Sequence, residues 1–381
     1  MGPRRRIAQP QRSRGGKQGD PAVTPVIGAV LILGITILGI ASVMIWGAPL
    51  VERVQVGNAQ SAMVGEFEEL RDSSRELSVP DHSRFPTIVI PRGEVSLQKG
   101  SRFMVTVDRD YGTPACDFQV RNWADTSAKT SVSITPTNCR NGATVAIYSV
   151  SGSTLVNYTA SVSGSTYTIG SADFSAGDWL FRLSHASCAS TICAEAWIMS
   201  TDQVEWSVES ASGGHKVHFD NGAIFSEDAG TTFLEREAAI GDSVFGSSYY
   251  GLWVRSLTAG SYTTISGAGS HQVYLSLLGN YDRTDATGAS RVRIDVSGAL
   301  AQGWCNALVG RNHGLSGASY KSEVANCGPV VGSSDVRSVC YARVASTSNA
   351  CTASLSCPTA TTGNCFAFRL LHARIYTSLA L

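Results

Sequence analysis

The chain has 381 residues, with 30 Lys and Arg against 30 Asp and Glu, and charged residues make up only 16% of it. The zero balance hides a basic N-terminal cluster, which the flank of an apolar segment explains better than nucleic-acid binding does, and 12 Tyr, 12 Phe and 7 Trp exclude a largely disordered stalk. With about 80 residues set aside for a tail and a helix, roughly 300 remain, enough for one large domain or two modest ones.

Residues Met1 to Gly19 are polar, broken by Gly and Pro, and basic. Arg4, Arg5, Arg6, Arg12, Arg14 and Lys17 stand against one acid before the apolar run, Asp20. This stretch reads as a leader, residues 1–21, and not as part of a fold. Ala22 to Leu50 follows, 29 residues without Asp, Glu, Lys, Arg or His. About 20 helical residues span the hydrocarbon of a bilayer, so this run is long enough to cross. A soluble core helix of that length shows a polar face, and here only Thr24, Thr36 and Ser42 interrupt it. Positive charge before the first apolar segment keeps that side cytoplasmic, which sends the rest of the chain outward. From Pro21 onward the balance is 24 basic against 29 acidic residues, a mildly acidic exterior. A secretory signal would carry an apolar core of 7–15 residues and a small-residue cleavage site after it. The run here is about twice that length and ends in IWGAPL, so cleavage behind it is not expected.

The residues DPAVTPVIGAVLILGITILGIASV resemble the start of archaeal type IV pilin-like proteins. In that family a class III signal peptide is cut just ahead of an AVSPVIG-type segment. AVTPVIG at Ala22 to Gly28 matches, with Thr24 where Ser is common. The resemblance implies processing near Asp20, Pro21 and Ala22, although Pro21 departs from the usual residue beside the scissile bond. It also implies a prepilin peptidase and pilus assembly machinery as partners, together with the membrane. Homo-oligomerisation, or co-assembly with other pilins, would run through Val26, Ile27, Gly28, Leu31, Gly34, Ile35, Leu38 and Gly39. Gly28, Gly34 and Gly39 offer small surfaces for helix approach, but their spacing is not GxxxG. No cofactor and no nucleic acid is expected.

The helix should continue as a stalk within residues 22–79. Val56, Ala59, Met63, Phe67, Leu70 and Leu77 recur at helical spacing, with a charged face opposite. Pro49 should kink it near the membrane exit, and Pro80 should end it. From 84 to 381 short β-branched runs among abundant Gly, Ser and Thr predict a β-rich head. The fold class is therefore α+β: a long N-terminal hydrophobic helix followed by a mainly antiparallel β ectodomain with disulfides. PTIVIPRGEVSLQKGSRFMVTVDRD should form two or three short strands punctuated by Gly93 and Gly100, packed on the stalk stripe. Residues 111–199 read as an inserted β lobe, with a glycosylation sequon at Asn157-Tyr158-Thr159. Asp220-Asn221-Gly222 predicts a hairpin turn. The stretch from Arg291 to Gly310 resembles the late strand and short Trp-containing helix of the same pilin-like family, and LLHARIYTSLAL reads as a closing strand.

All ten cysteines, at 116, 139, 188, 193, 305, 327, 340, 351, 357 and 365, lie beyond the apolar helix. An even number on the outward side reads as disulfides. Zinc is the competing account, but there is no CxxC pair and no finger spacing. Cys116–Cys139 and Cys188–Cys193 are the natural local pairs, while Cys305, Cys327, Cys340, Cys351, Cys357 and Cys365 stay unassigned. No GxSxG, HExxH or P-loop pattern is present. His215 and His218 are three apart on a predicted strand, so they face opposite ways and make a poor metal pair. Asn280, Asp282 and Asp285 could offer oxygens to calcium, though a solvated turn accounts for them better. Two readings stay open beside a pilus-like filament subunit: a monomeric membrane-anchored adhesin, and an anchored hydrolase whose site carries no motif.

Overall fold

The computed structural model describes residues 23–77, 80, 82–109, 117–121, 132–137, 144–151, 154–161, 167–169, 178–186, 188, 191–210, 213–228, 230–236, 243–245, 249–289, 291–310, 327–329, 338–347, 350–356 and 366–380. The chain divides into two compact units, residues 1–54 and 55–381. The first contains the apolar part of helix α1, which runs Val23–Glu76 and continues through Pro49. An interior Pro removes the hydrogen bond that its N–H would donate to the carbonyl four residues back.

In the second unit α1 buries the expected stripe. Met63, Phe67 and Leu70 are fully buried, Val56 and Ala59 nearly so, and Leu77 is buried just past the last helical turn. They pack on Val95, Leu97, Trp206, Phe219, Leu275 and Ile375 among others. Polar contacts also fix the helix to the sheet: Glu66 Oε2 accepts the Val89 N–H at 2.8 Å, Glu68 pairs with Arg236, and Glu76 Oε2 lies 3.0 Å from Arg84 Nη2. Phe67 meets Phe219 with ring centroids 6.4 Å apart.

The sheet is built from long, mainly antiparallel strands. Glu94–Asp108 pairs with Ile192–Ser210 along its length, and Gly269–Ala289 pairs with Phe366–Leu379. The C-terminal strand also lies parallel to Tyr249–Ala259, so the closing strand expected from its alternation is tied in on both sides. Gly213–Asp220 and Ala223–Asp228 form the expected hairpin. Asn221 at φ 49° and Gly222 at φ 79° give its turn the left-handed pair that a two-residue connection needs. Arg291–Ser297 is the late strand and Ala301–Gly310 the short helix, α2. Within 111–199, Thr144–Ser151, Thr154–Ser161 and Asp178–Ser184 are hydrogen-bonded in series onto Ile192–Ser210. Three shorter strands, Asp117–Arg121, Val132–Thr137 and Tyr167–Ile169, make a separate small sheet.

Two expectations need correction. Gly100 does not punctuate short strands, because Glu94–Asp108 is one strand of 15 residues. The register shift at this point sets Gly100 and Ser101 against the single Thr201, a bulge that bends the strand without ending it. A Cβ on Gly100 would lie 2.9 Å from the Thr201 carbonyl oxygen, so the close approach requires glycine. The second correction concerns Asn280, Asp282 and Asp285, which lie on Gly269–Ala289 and not in a turn. Register shifts at Leu277/Gly279 and Asp282/Thr284 let the polar run stay in the ladder. Asp282 is held by Arg369, whose Nη2 is 2.6 Å from the carboxylate.

Among the described residues the interior consists of two apolar clusters met in succession along the same strands. On Glu94–Asp108, Val95 and Leu97 belong to the cluster under α1, while Phe103, Val105 and Val107 belong to the other. Ile192–Ser210 repeats this with Val204 and Trp206 against Trp197 and Met199. Tyr249–Ala259 repeats it with Leu257 against Leu252 and Val254. Between the clusters every one of these strands carries buried polar residues: Ser101 and Arg102, Thr201, and Arg255 and Ser256. Asp220, Asn221 and His372 complete this polar seam.

Candidate membrane and assembly helix

The apolar part of α1 is the surface that the chain's own fold leaves uncovered. Seventeen large apolar side chains between Val26 and Val54 are exposed, from Ile27 at 53% to Trp46 at 82%. At about 1.5 kcal/mol per side chain, the low end for full burial, removing them from water is worth on the order of 25 kcal/mol. Of the expected assembly residues, Val26, Ile27, Leu31, Gly34, Ile35, Leu38 and Gly39 are exposed and Gly28 is half-buried. By length and composition the helix can cross a membrane, and none of its most apolar window is buried. Thr36 already satisfies its hydroxyl within the helix by donating to the Ile32 carbonyl at 2.8 Å, which suits it to an apolar medium. A Cβ added at Gly28, Gly34, Gly39, Gly57 or Gly65 would meet nothing within 4 Å. Nothing in the chain's own packing therefore uses those five glycines, although each weakens the helix by about 1 kcal/mol relative to Ala. Asp20, Pro21 and Ala22, the expected processing residues, lie outside the described residues.

The expected Cys188–Cys193 disulfide is present, and Cys305 is disulfide-bonded as well. Cys327 and Cys340 sit opposite each other in paired strands, and Cys351 lies on Ala350–Ser356. Cys116, Cys139, Cys357 and Cys365 fall outside the described residues. Asn157 is on Thr154–Ser161, opposite Tyr148. His215 and His218 do point apart, as expected: His215 Nδ1 is 3.3 Å from Asp228, whereas His218 lies between Glu205 at 3.4 Å and Glu227 at 3.2 Å. The hydrogen bond from His218 holds the Glu227 carboxyl below its ordinary range. Among the described residues no group of three or more His, Cys, Asp or Glu is arranged to hold a metal ion.

The seam holds the constellation closest to an active site. Ser256 Oγ is 2.7 Å from His372 Nε2, and His372 Nδ1 is 3.4 Å from Asp178 Oδ2. Its proton arrangement is the reverse of a nucleophile's. Arg283, which can only donate, directs Nε and Nη2 at His372 Nδ1 over 3.3 and 3.1 Å. Nδ1 must then accept, so the proton sits on Nε2 and is donated to Ser256 Oγ. Such a histidine does not draw a proton from serine. Burial, with Arg283 and Arg374, holds His372 well below its ordinary pKa, and Ser256 is only 1% exposed. The group is a satisfied internal network, with Asp178 raised mainly by its own burial.

The sequence does not reveal the seam, and its key residue lies in a motif read only as a turn. Asp220 is fully buried, and its Oδ2 accepts from Ser101 N–H at 3.3 Å, Ser101 O–H, and Trp304 Nε1–H at 3.1 Å. The bulge at Gly100 and Ser101 is what frees the Ser101 N–H from the ladder. Asn221 Oδ1 accepts the Arg255 backbone N–H, and Thr201 Oγ1 accepts that of Leu257 at 3.0 Å. Burial raises the Asp220 carboxyl to about 6 in spite of its three donors. Comparison with protein-family models, with characterised proteins and with solved structures finds no match for this chain.

Proposed function

We propose that this chain is a structural subunit of an archaeal type IV pilus-like surface filament. It polymerises through its N-terminal apolar helix and displays the β-rich head, with adhesion as a use for that head. The observation that carries the reading is the uncovered helix, whose seventeen exposed apolar side chains need a medium other than water. A bilayer supplies one before assembly, and a bundle of identical helices supplies another afterwards. The unused glycines favour the bundle: a lipid tail gains nothing from a missing Cβ, whereas a neighbouring helix can approach more closely. The Cys188–Cys193 disulfide supports an oxidising location for the head. The leader and the AVTPVIG segment supply the family resemblance.

The test is to shear cell-surface material, isolate filaments, and sequence the N-terminus of this chain within them. The expected result is a mature protein starting near Ala22 in the sheared fraction. A mature chain that lacks residues 22–50 overturns the reading. So does a chain with an intact leader that stays with the membrane as a monomer, the behaviour of a solitary anchored adhesin.

A further inference from the structure

Several buried or partly buried arginines of the head have a carboxylate. Arg283 pairs with Asp178, Arg109 and Arg182 share Glu195, and Arg293 pairs with Asp295. Arg255 is different. It is 8% exposed, in the polar seam on Tyr249–Ala259, and among the described residues no acid pairs with its guanidinium. Its Cζ lies 4.6 Å from the centroid of the Trp253 ring, a stacking contact that leaves the in-plane N–H groups to find acceptors elsewhere. Nη1 is buried and has no acceptor. Asn221, whose Oδ1 holds the Arg255 backbone, presents a second buried donor without an acceptor, Nδ2.

The neighbouring charge is also positive. Arg75, in the last turn of α1, is close enough to repel Arg255, and burial and that repulsion together lower Arg255 to about 10. Arg71 acts on Arg75 in the same way. Of the acids at this end of the helix, Glu76 pairs with Arg84 at 3.0 Å, and Asp72, 61% exposed, is already shared, 3.2 Å from Arg71 and 3.7 Å from Arg75. Neither of these carboxylates is paired with Arg255. An isolated buried cation is among the most unfavourable groups a fold can hold. The two groups left without acceptors, Arg255 Nη1 and Asn221 Nδ2, are both donors, which suits neither a metal ion nor an apolar guest.

We infer that Arg255, Arg75 and the Asn221 amide form a binding site for a small oxyanion, a phosphate or carboxylate group. Arg255 supplies the planar donor edge, Asn221 a neutral donor, and Arg75 a second charge from the rim. The Arg75 side chain is 40% exposed, so the ligand enters from its side.

The test uses the full mature chain in a non-ionic detergent at constant ionic strength, with chloride exchanged for inorganic phosphate or for acetate. Tryptophan fluorescence and the thermal midpoint are followed. The expected result is a saturable rise in midpoint of a few degrees with at least one of the two anions, accompanied by a change in Trp253 emission. Phosphate alone, acetate alone or both identify the group recognised. Arg75→Gln should weaken the apparent affinity roughly ten-fold and Arg255→Met should abolish the response. Trp253→Phe should remove the emission change and keep the midpoint rise. If Arg255→Met does not fold, Arg75→Gln carries the test, because its side chain is at the rim. No saturable response to either anion overturns the inference, as does an undiminished response in Arg75→Gln.

Discussion

Asp220 offers a direct measure of how the seam is held. The perturbation is Asp220→Asn, which keeps the shape and leaves an oxygen to accept from Ser101 and Trp304. The amide nitrogen can take the place of Oδ1, which has no hydrogen-bond partner. In the folded head the carboxyl titrates near 6, against an ordinary value of 3.8. The folded state therefore binds the proton more tightly than the unfolded chain does. Between pH 4 and 6 the wild type should gain stability as the pH falls, and above 6 the full cost of the buried charge is present. A difference of about 2 units is worth roughly 3 kcal/mol. His372 works the other way: its folded pKa is lowered, so its contribution is lost as the pH falls below 6.5. His372 is common to both proteins, so the comparison isolates Asp220. Denaturant unfolding of wild type and Asp220→Asn, followed by tryptophan fluorescence between pH 4 and 7.5, gives the stability difference at each pH. The wild type should lose about 2–3 kcal/mol relative to the variant across that range. A difference that stays constant with pH refutes the reasoning, since it would mean that the carboxyl is not strained by burial.

Three further outcomes follow from the packing. Phe67→Ala empties a fully buried ring site between α1 and the sheet, and should lower stability by about 3–5 kcal/mol in denaturant unfolding. Gly303→Ala places a Cβ 2.9 Å from the Phe225 ring and from Thr232, and overpacking of that kind costs about 1–3 kcal/mol, read as a fall in thermal midpoint. Leu38→Lys puts a charge in the exposed apolar run and should cost about 3 kcal/mol in membrane insertion, measured by carbonate extraction, while the unfolding midpoint of the head stays the same.

What could be read from the sequence was whatever rests on periodicity or on a single strong local preference. Val56, Ala59, Met63, Phe67 and Leu70 are buried because one helical stripe can face one sheet, and spacing alone specifies that. Asp220-Asn221-Gly222 marks its hairpin because few residues accept two positive φ angles in succession. Gly100 misled because a glycine in a β-pattern marks either a break or a bulge. The choice depends on Thr201, a hundred residues away, which the local pattern does not contain. Asp282 misled for a similar reason. A run of Asn, Asp, Arg and Thr has turn composition, and only its pairing with Arg369 on the neighbouring strand lets it stay extended.

The apolar helix was legible and the seam was not, and one physical difference explains both. A membrane or assembly surface is a contiguous property, declared by 29 uncharged residues in a row. The seam is assembled one or two residues at a time from strands far apart in the chain. Ser101, Thr201, Asp220, Arg255 and His372 each look like an ordinary polar interruption of a β pattern. Their shared level in the sheet follows from strand register, which here includes a bulge and a parallel pairing. Two apolar clusters placed in succession along continuous strands leave a boundary where the strand bends. The bulge there turns backbone donors away from the ladder, and Asp220, Asn221 and Thr201 are the acceptors that receive backbone N–H groups. Polar residues in the middle of this head are thus a consequence of its long strands, and Arg255 among them carries a charge that no acid among the described residues pairs with.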